Sequence, residues 1–275
     1  MSIWLIAIIL GLVEGITEFI PISSTGHLLI AEHFLGSDSF FHTEVFNAVI
    51  QAVAMLAALP LFSDRLATLK RWREPGPFSY FSKMAVAFGI TVVGALAFKF
   101  IVKKFTHGAD DSLLPKTVMP VAIALLVGGV LFVWVERWLR GRKSSDQISW
   151  AVAIVIGLAQ VLAVVFPGAS RSGSTILLAL VMGLGRGPAT EFSFLLGVPT
   201  LCAAAVKTLW DAHKEHVTIV WGPLLLTSAV AGIASFLAVR WLLGYVRSHT
   251  FTGFGWYRIG LGAALIALYF TTSLR

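Results

Sequence analysis

The chain has 275 residues, 57% of them hydrophobic and only 13% charged, far from the roughly 45–50% apolar and 25% charged make-up of a soluble domain. That composition excludes a water-soluble globular fold and points to repeated crossings of a bilayer core about 30 Å thick, each needing roughly 20 apolar residues. The formal net charge of +7 does not indicate a nucleic-acid partner, because Lys and Arg lie between the hydrophobic runs, as membrane loop charges do, and form no block or stripe.

In chain order, the first apolar stretch covers about 3–35 and is broken by EGITEFIPISSTGH at 14–27. It lacks the basic n-region of a secretory signal and carries Glu14 and Glu18 where cleavage would fall, so it is assigned to the mature fold. Runs long enough to cross follow at about 44–62, 84–101 and 118–139. A second broken stretch, about 150–184, carries PGASRSGST at 167–175, and further full-length runs lie at about 191–209, 221–243 and 255–274. Polar breaks at membrane depth are tolerated only inside protein or against a water-filled cavity, so each broken stretch reads as a re-entrant helix–turn–helix hairpin. The expected fold is an all-α polytopic membrane protein, one domain over 1–275, with about six transmembrane helices and two re-entrant hairpins. Cys202 is the only cysteine, which leaves no disulfide framework and no cysteine-based metal site; its apolar setting suits helix packing.

The two halves resemble each other. Gly11-Leu12-Val13-Glu14, then Pro21 and Ser24, match Gly157-Leu158-Ala159-Gln160, then Pro167 and Ser170, at a shift of 146. Glu44-Val45-Phe46 and Ala57-Ala58 match Glu191-Phe192-Ser193 and Ala204-Ala205 at a shift of 147, so one inserted residue separates the two blocks. Each half, about 1–139 and 148–275, then holds one hairpin and three crossings. An odd number of crossings turns the second half upside down, which makes the halves an inverted repeat. The loops at 63–83, 139–150, 185–190 and 243–254 carry Arg65, Lys70, Arg71, Arg73, Lys83, Arg140, Arg142, Lys143, Arg186 and Arg247, whereas the opposite side carries Lys103, Lys104, Lys116, Lys214 and Arg275. Ten against five puts the first side in the cytoplasm and both termini outside. The first hairpin then enters from outside and the second from the cytoplasm.

Ionisable side chains inside a membrane cost about 2.5–3.5 kcal/mol each on insertion scales and are functional suspects by default. Here they are Glu14, Glu18, His27 and Arg171. Glu14 and Glu18, four residues apart, share one helical face and suit a divalent cation or a held proton; pairing with Arg171 as a structural salt bridge is the plainer alternative. After Pro21, Ser23 or Ser24 can cap the returning half-helix, with His27 one turn in beside Ser24. In the second hairpin, Pro167-Gly168 precedes Ser170-Arg171-Ser172-Gly173-Ser174-Thr175, again at a half-helix start. Two helix N-termini meeting at mid-membrane form an anion site, and phosphate is its natural guest. Arg171 offers a planar fork for it, and Ser24 with His27 offers a nucleophile and base for phosphoryl transfer. Glu44 and Glu191, at equivalent span ends, read as helix-start residues, Gln51 as a supporting hydrogen bonder, and Arg258 as an anchor snorkelling to the cytoplasmic interface. The other histidines, His33, His42, His107, His213, His216 and His249, show no metal-ligand spacing.

The two motifs, EGITEFIPISSTGH and PGASRSGST, resemble those of the undecaprenyl-diphosphate phosphatase family, also called the bacitracin-resistance family, and the similarity extends through EFSFLLGVP at 191–199. By that resemblance Glu14 and Glu18 correspond to the family's paired acidic residues, Ser24 and His27 to the Ser and His of its first signature, and Arg171 to the arginine of its second. Ser170, Ser172 and Thr175 correspond to phosphate contacts; Ser23, Thr25, Gly26 and Gly173, at the same half-helix starts, complete the expected phosphate-binding set. The resemblance implies a hydrolase of the bacterial inner membrane acting on undecaprenyl diphosphate in peptidoglycan synthesis and bacitracin resistance, with a divalent cation, Mg2+ or Ca2+. The type 2 phosphatidic acid phosphatases are a poor match, since the chain has no Arg-Pro pair and Leu177 stands where their histidine would be. A lipid transporter is the rival reading, because inverted repeats with broken helices suit alternating access. Homodimerisation is left open by the sequence.

Overall fold

The computed structural model describes residues 1–36, 39–105 and 118–271, so His107, Lys116 and Arg275 lie outside the described residues. Those residues form helices and no β-strand. The first half contains α1 (Ile3–Thr17), α2 (Ser24–Leu35), α3 (Glu44–Ala58), the short α4 (Ser63–Ala67), α5 (Pro75–Phe105) and α6 (Val118–Trp138). The second contains α7 (Trp150–Val165), α8 (Arg171–Val181), α9 (Arg186–Lys214), α10 (Trp221–Tyr245) and α11 (Thr252–Thr271). Six helical segments are long and apolar enough to cross a membrane: Glu44–Arg71, Pro75–Lys104, Val118–Trp138, Arg186–Lys214, Trp221–Tyr245 and Thr252–Phe270. The protein is an all-α, multi-span membrane protein.

The remaining four helices make the two hairpins. At 1.5 Å per residue, α2 with 12 residues and α8 with 11 reach less than about 20 Å, short of a bilayer core. Each hairpin breaks at a serine with an unusual backbone. Ser23 (φ 75°) caps α2 by accepting from the Gly26 N–H at 3.4 Å, and Ser170 (φ 69°) caps α8 by accepting from the Gly173 N–H at 3.1 Å. A positive φ strains any residue with a Cβ, by about 1–3 kcal/mol, and here the hydroxyl cap accompanies the strain in both places. The sequence match of Ser24 to Ser170 is therefore corrected by one position: the caps Ser23 and Ser170 correspond, and the first helical residues Ser24 and Arg171 correspond. The extra residue sits inside the turn, where Pro167-Gly168-Ala169 replaces Pro21-Ile22 and Gly168 takes φ 89°.

Close packing fixes the hairpins against the long helices. The principal pairings are α1 with α10, α5 with α7, α3 with α9 and α10, and α6 with α11. On α1, Gly11 and Gly15 form a small-xxx-small face of the kind that lets membrane helices approach closely. A Cβ at Gly15 would lie 2.5 Å from the Ala231 carbonyl oxygen, and the Ser235 hydroxyl donates to the Gly15 carbonyl at 3.1 Å. On α7, Gly157 faces Ala87 of α5, and the Thr91 hydroxyl donates to the Gly157 carbonyl at 3.2 Å. Each hairpin is thus docked onto a helix of the other half.

Several loop assignments change. The stretch 63–83 is largely helical, so α5 starts at Pro75, and α9 starts at Arg186, five residues before Glu191. Glu191 is therefore not a helix-start residue; it accepts from Arg65 Nε at 2.5 Å. Glu44 does begin α3, behind the Thr43 cap. Arg186 is bound by the buried Glu136 of α6, which also accepts from the Phe251 N–H at 2.9 Å, tying α6, α9 and the approach to α11 together. The Gln51 side chain is half-buried and makes no hydrogen bond among the described residues.

Overpacking the α1–α10 seam should be costly. Gly15→Val is expected to lose about 1–3 kcal/mol, read as a lower melting temperature of the purified protein in detergent. Gly76→Val, whose Cβ meets nothing within 4 Å, is expected to melt with the parent.

Candidate active site

The site is organised around Glu18, which caps the C-terminal end of α1 at 7% exposure. One carboxylate oxygen, Oε2, accepts the Ser24 hydroxyl at 2.6 Å, and the other, Oε1, accepts Arg171 Nη2 at 3.1 Å. Its backbone carbonyl accepts the Ser172 hydroxyl at 3.1 Å. Ser24 and Arg171 are the first residues of α2 and α8, so a single carboxylate bridges the starts of both half-helices, one hydrogen bond to each. The N–H groups of Ser24 and Thr25, and of Arg171 and Ser172, are the orphan donors of those two first turns. Together they provide the positive helix ends that an anion requires.

Arg171 is held from several sides. Nη1 donates to the Ser193 carbonyl at 3.3 Å, Nη2 also approaches the Met55 sulfur at 3.8 Å, and Nε is buried without a partner. A Cβ at Gly197 would collide with the guanidinium, so α9 admits Arg171 only because that position has no side chain. The Ser193 hydroxyl pairs with that of Thr175. The buried rings of Phe19 and Phe194 meet edge to face at 4.9 Å between centroids, placing apolar walls next to Glu18 and Ser193 in the chain.

Several expected phosphate contacts have hydroxyls already engaged. Ser23 and Ser170 are caps; Ser172 serves the Glu18 carbonyl and lies 3.2 Å from Ser170 Oγ; Thr175 donates to the carbonyls of Arg171 and Ser172 at 2.8 and 3.1 Å. These side chains shape the anion site from behind, while Gly26 and Gly173 give their N–H groups to the caps. Thr25 is half-buried at the open first turn of α2.

His27 does not hydrogen-bond to Ser24. Its Nδ1 lies 2.7 Å from the Ser23 carbonyl and its Nε2 2.7 Å from the Tyr257 hydroxyl, with the two rings 5° from parallel. A carbonyl only accepts, so Nδ1 carries the proton and Nε2, in the neutral ring, accepts the Tyr257 O–H. Tyr257, Ser193 and Met55 were not singled out from the sequence. Their separations from the motif residues they touch, 230, 22 and 116 positions, leave no local pattern to read.

Glu14 is fully buried, and neither of its carboxylate oxygens has a hydrogen-bond partner. Gln160, the residue matched to it in the second half, is also buried with both amide atoms unpartnered. No group of three or more His, Cys, Asp or Glu capable of holding a metal ion occurs among the described residues. Two carboxylates one helical turn apart, one with both oxygens free, still fit a hard cation that takes its remaining oxygens from phosphate and water.

The chain is 46% identical over 266 residues to the undecaprenyl-diphosphatase of Rhizobium etli, covering 95% of this chain and 96% of that protein. It is 44% identical over 264 residues to the undecaprenyl-diphosphatase of Xylella fastidiosa, covering 94% and 96%, and 45% identical over 270 residues to that of Xanthomonas axonopodis pv. citri, covering 97% of each. Residues 7–264, which include both hairpin breaks and the Glu18 cluster between them, match the family described as bacitracin resistance protein BacA, and the chain belongs to that family.

Proposed function

We propose that the protein hydrolyses undecaprenyl diphosphate to undecaprenyl phosphate and inorganic phosphate, regenerating the lipid carrier of peptidoglycan synthesis and so conferring resistance to bacitracin. The observation that carries this reading is the shared grip of Glu18 on Ser24 and Arg171 at two facing half-helix starts. It sets a hydroxyl nucleophile, an acceptor for its proton and a phosphate-binding fork around one anion site. The relatives are named for hydrolysis, which favours the enzyme over a lipid transporter.

In the proposed reaction the terminal phosphate lies against the orphan N–H groups of the two first turns and the Arg171 guanidinium. Ser24 Oγ attacks phosphorus, its proton passes to Glu18 Oε2, and the bond to the bridging oxygen breaks to release undecaprenyl phosphate. Water then attacks the phosphoserine, Glu18 returns the proton to Oγ, and both protons of the water leave on inorganic phosphate. The partner the sequence assigned to Ser24, His27, is replaced in this role by Glu18 at 2.6 Å. His27, half-buried and bound to the Ser23 carbonyl and to Tyr257, takes no part in the attack. A divalent cation, Mg2+ or Ca2+, is proposed to rest on Glu14 with help from Glu18, where it would neutralise charge on the diphosphate oxygens. The packing of α1 on α10 and of α7 on α5 supports the inverted repeat. The family supports a bacterial inner-membrane location, and the distribution of Lys and Arg supports an orientation with both termini and the opening outside.

Purified protein is expected to release phosphate from a polyprenyl diphosphate when Mg2+ or Ca2+ is supplied; no release with either ion would refute the assignment. Arg171→Ala is expected to abolish turnover and Arg171→Lys to restore little of it, since a single ammonium cannot hold Glu18 and the Ser193 carbonyl and still present a fork to phosphate. Ser24→Ala is expected to lower kcat by roughly 10²–10⁴-fold, whereas a drop within tenfold would mean that water attacks directly and Ser24 only orients phosphate. Glu14→Gln is expected to raise the cation concentration needed for half-maximal activity; lost activity at an unchanged cation requirement would remove Glu14 from the metal site.

A further inference from the structure

Arg258 contradicts its reading as an interfacial anchor. Its exposure is 1%, and its guanidinium turns into the protein, where Nη1 donates to the Pro21 carbonyl at 3.3 Å and Nη2 to the Ala169 and Ala124 carbonyls, each at 3.1 Å. Pro21 lies two residues before the cap Ser23, and Ala169 immediately before the cap Ser170. One planar cation therefore bonds the backbone of both hairpin turns at once, and of α6 between them. Among the described residues no carboxylate is paired with it. A buried, unpaired charge is expensive, and a snorkelling arginine would avoid the expense by reaching for water. Neighbouring elements make room for it: a Cβ at Gly128 of α6 would lie 2.7 Å from its Cζ, and one at Gly173 of α8 would lie 2.8 Å from its Nη1.

We propose that Arg258 is a positioning residue for phosphate hydrolysis, fixing the separation of the two strained turns and hence of Ser24 from Arg171. It bonds neither of those side chains and acts through the backbone on which they stand. The rigid fork is essential to this role, because three carbonyls in different directions match the donor geometry of a guanidinium and not that of an ammonium. The inference rests on the active site proposed above.

The test uses the full-length protein in detergent with a polyprenyl diphosphate and Mg2+, each variant assayed well below its own melting temperature. Arg258→Lys is expected to lower kcat about 100-fold, the scale of a misplacement near 1 Å, while KM stays within about threefold because ground-state phosphate contacts survive. Gly128→Ala, which leaves Arg258 chemically intact but displaces its guanidinium, is expected to lower kcat about tenfold alone and to add nothing in an Arg258→Met background, the non-additivity expected of groups acting as one unit. If Arg258→Met does not fold, the lysine and Gly128 variants decide the matter. Arg258→Lys with kcat within about threefold of the parent, a loss confined to KM, or a Gly128→Ala effect that persists in the Arg258→Met background overturns the proposal. Arg171→Ala run in parallel keeps the two claims apart: if it retains activity, the site itself is misassigned and this inference falls with it; if it is inactive, the Arg258 results judge positioning alone.

Discussion

A helix that stops inside a membrane protein leaves N–H and C=O groups that lipid cannot satisfy and bulk water cannot reach. This protein stops two helices that way, and most of what surrounds the breaks answers that constraint. Ser23 and Ser170 give each returning helix a cap at the cost of a strained φ, while Arg258 supplies donors to carbonyls released at both turns. What remains unanswered is a small set of first-turn N–H groups facing the same place. The anion site is the residue of that accounting: the donors left over once the break has been made structurally tolerable are the ones a phosphate can use.

The charges follow from the same arrangement. Two arginines, Arg171 and Arg258, and two glutamates, Glu14 and Glu18, stand around the turns, all of them buried except the part-buried Arg171. Glu18 satisfies one of the cations directly and takes a hydroxyl proton donor on its other oxygen. Glu14 has no such partner. Its carboxylate, one turn from Glu18, is where the proposed cation would offset the charge of a diphosphate. Glu136 with Arg186, and Glu191 with Arg65, show the contrasting pattern of ion pairs that close on themselves away from the hairpin breaks.

How much of this was legible in the sequence depends on how far apart the interacting residues lie. The six crossings, both hairpins and the four ionisable suspects are written in local runs, because a bilayer imposes a length and an apolar density on every crossing. The paired acids at 14 and 18 follow from helical spacing alone. The partner of the Ser24 hydroxyl could not be read in the same way: His27 is three residues away and on the same helix, yet the hydroxyl turns across the break to Glu18. The one-residue slip between Ser24 and Ser170 arose because the turns differ in length, and only the backbone angles identify which serines are the caps. Arg258 did carry a signal, an arginine in an apolar helix with no acid nearby, but the sequence offers the interface as its destination and the fold supplies carbonyls instead.

The last described helix, α11, contributes Tyr257 and Arg258 to a site whose other parts belong to the first hairpin and to α8. His27 therefore waits for a partner 230 residues later, and the Pro21 turn for one 237 residues later. Contacts of such long sequence separation must overcome a large loop-closure entropy and form late. During synthesis the first hairpin must persist in the membrane, caps in place, through the insertion of nearly the whole remaining chain. The contacts that α11 makes with the Pro21 turn and with His27 are consequently absent until α11 has been made, and order of synthesis becomes a timing device for the join between the two hairpin breaks.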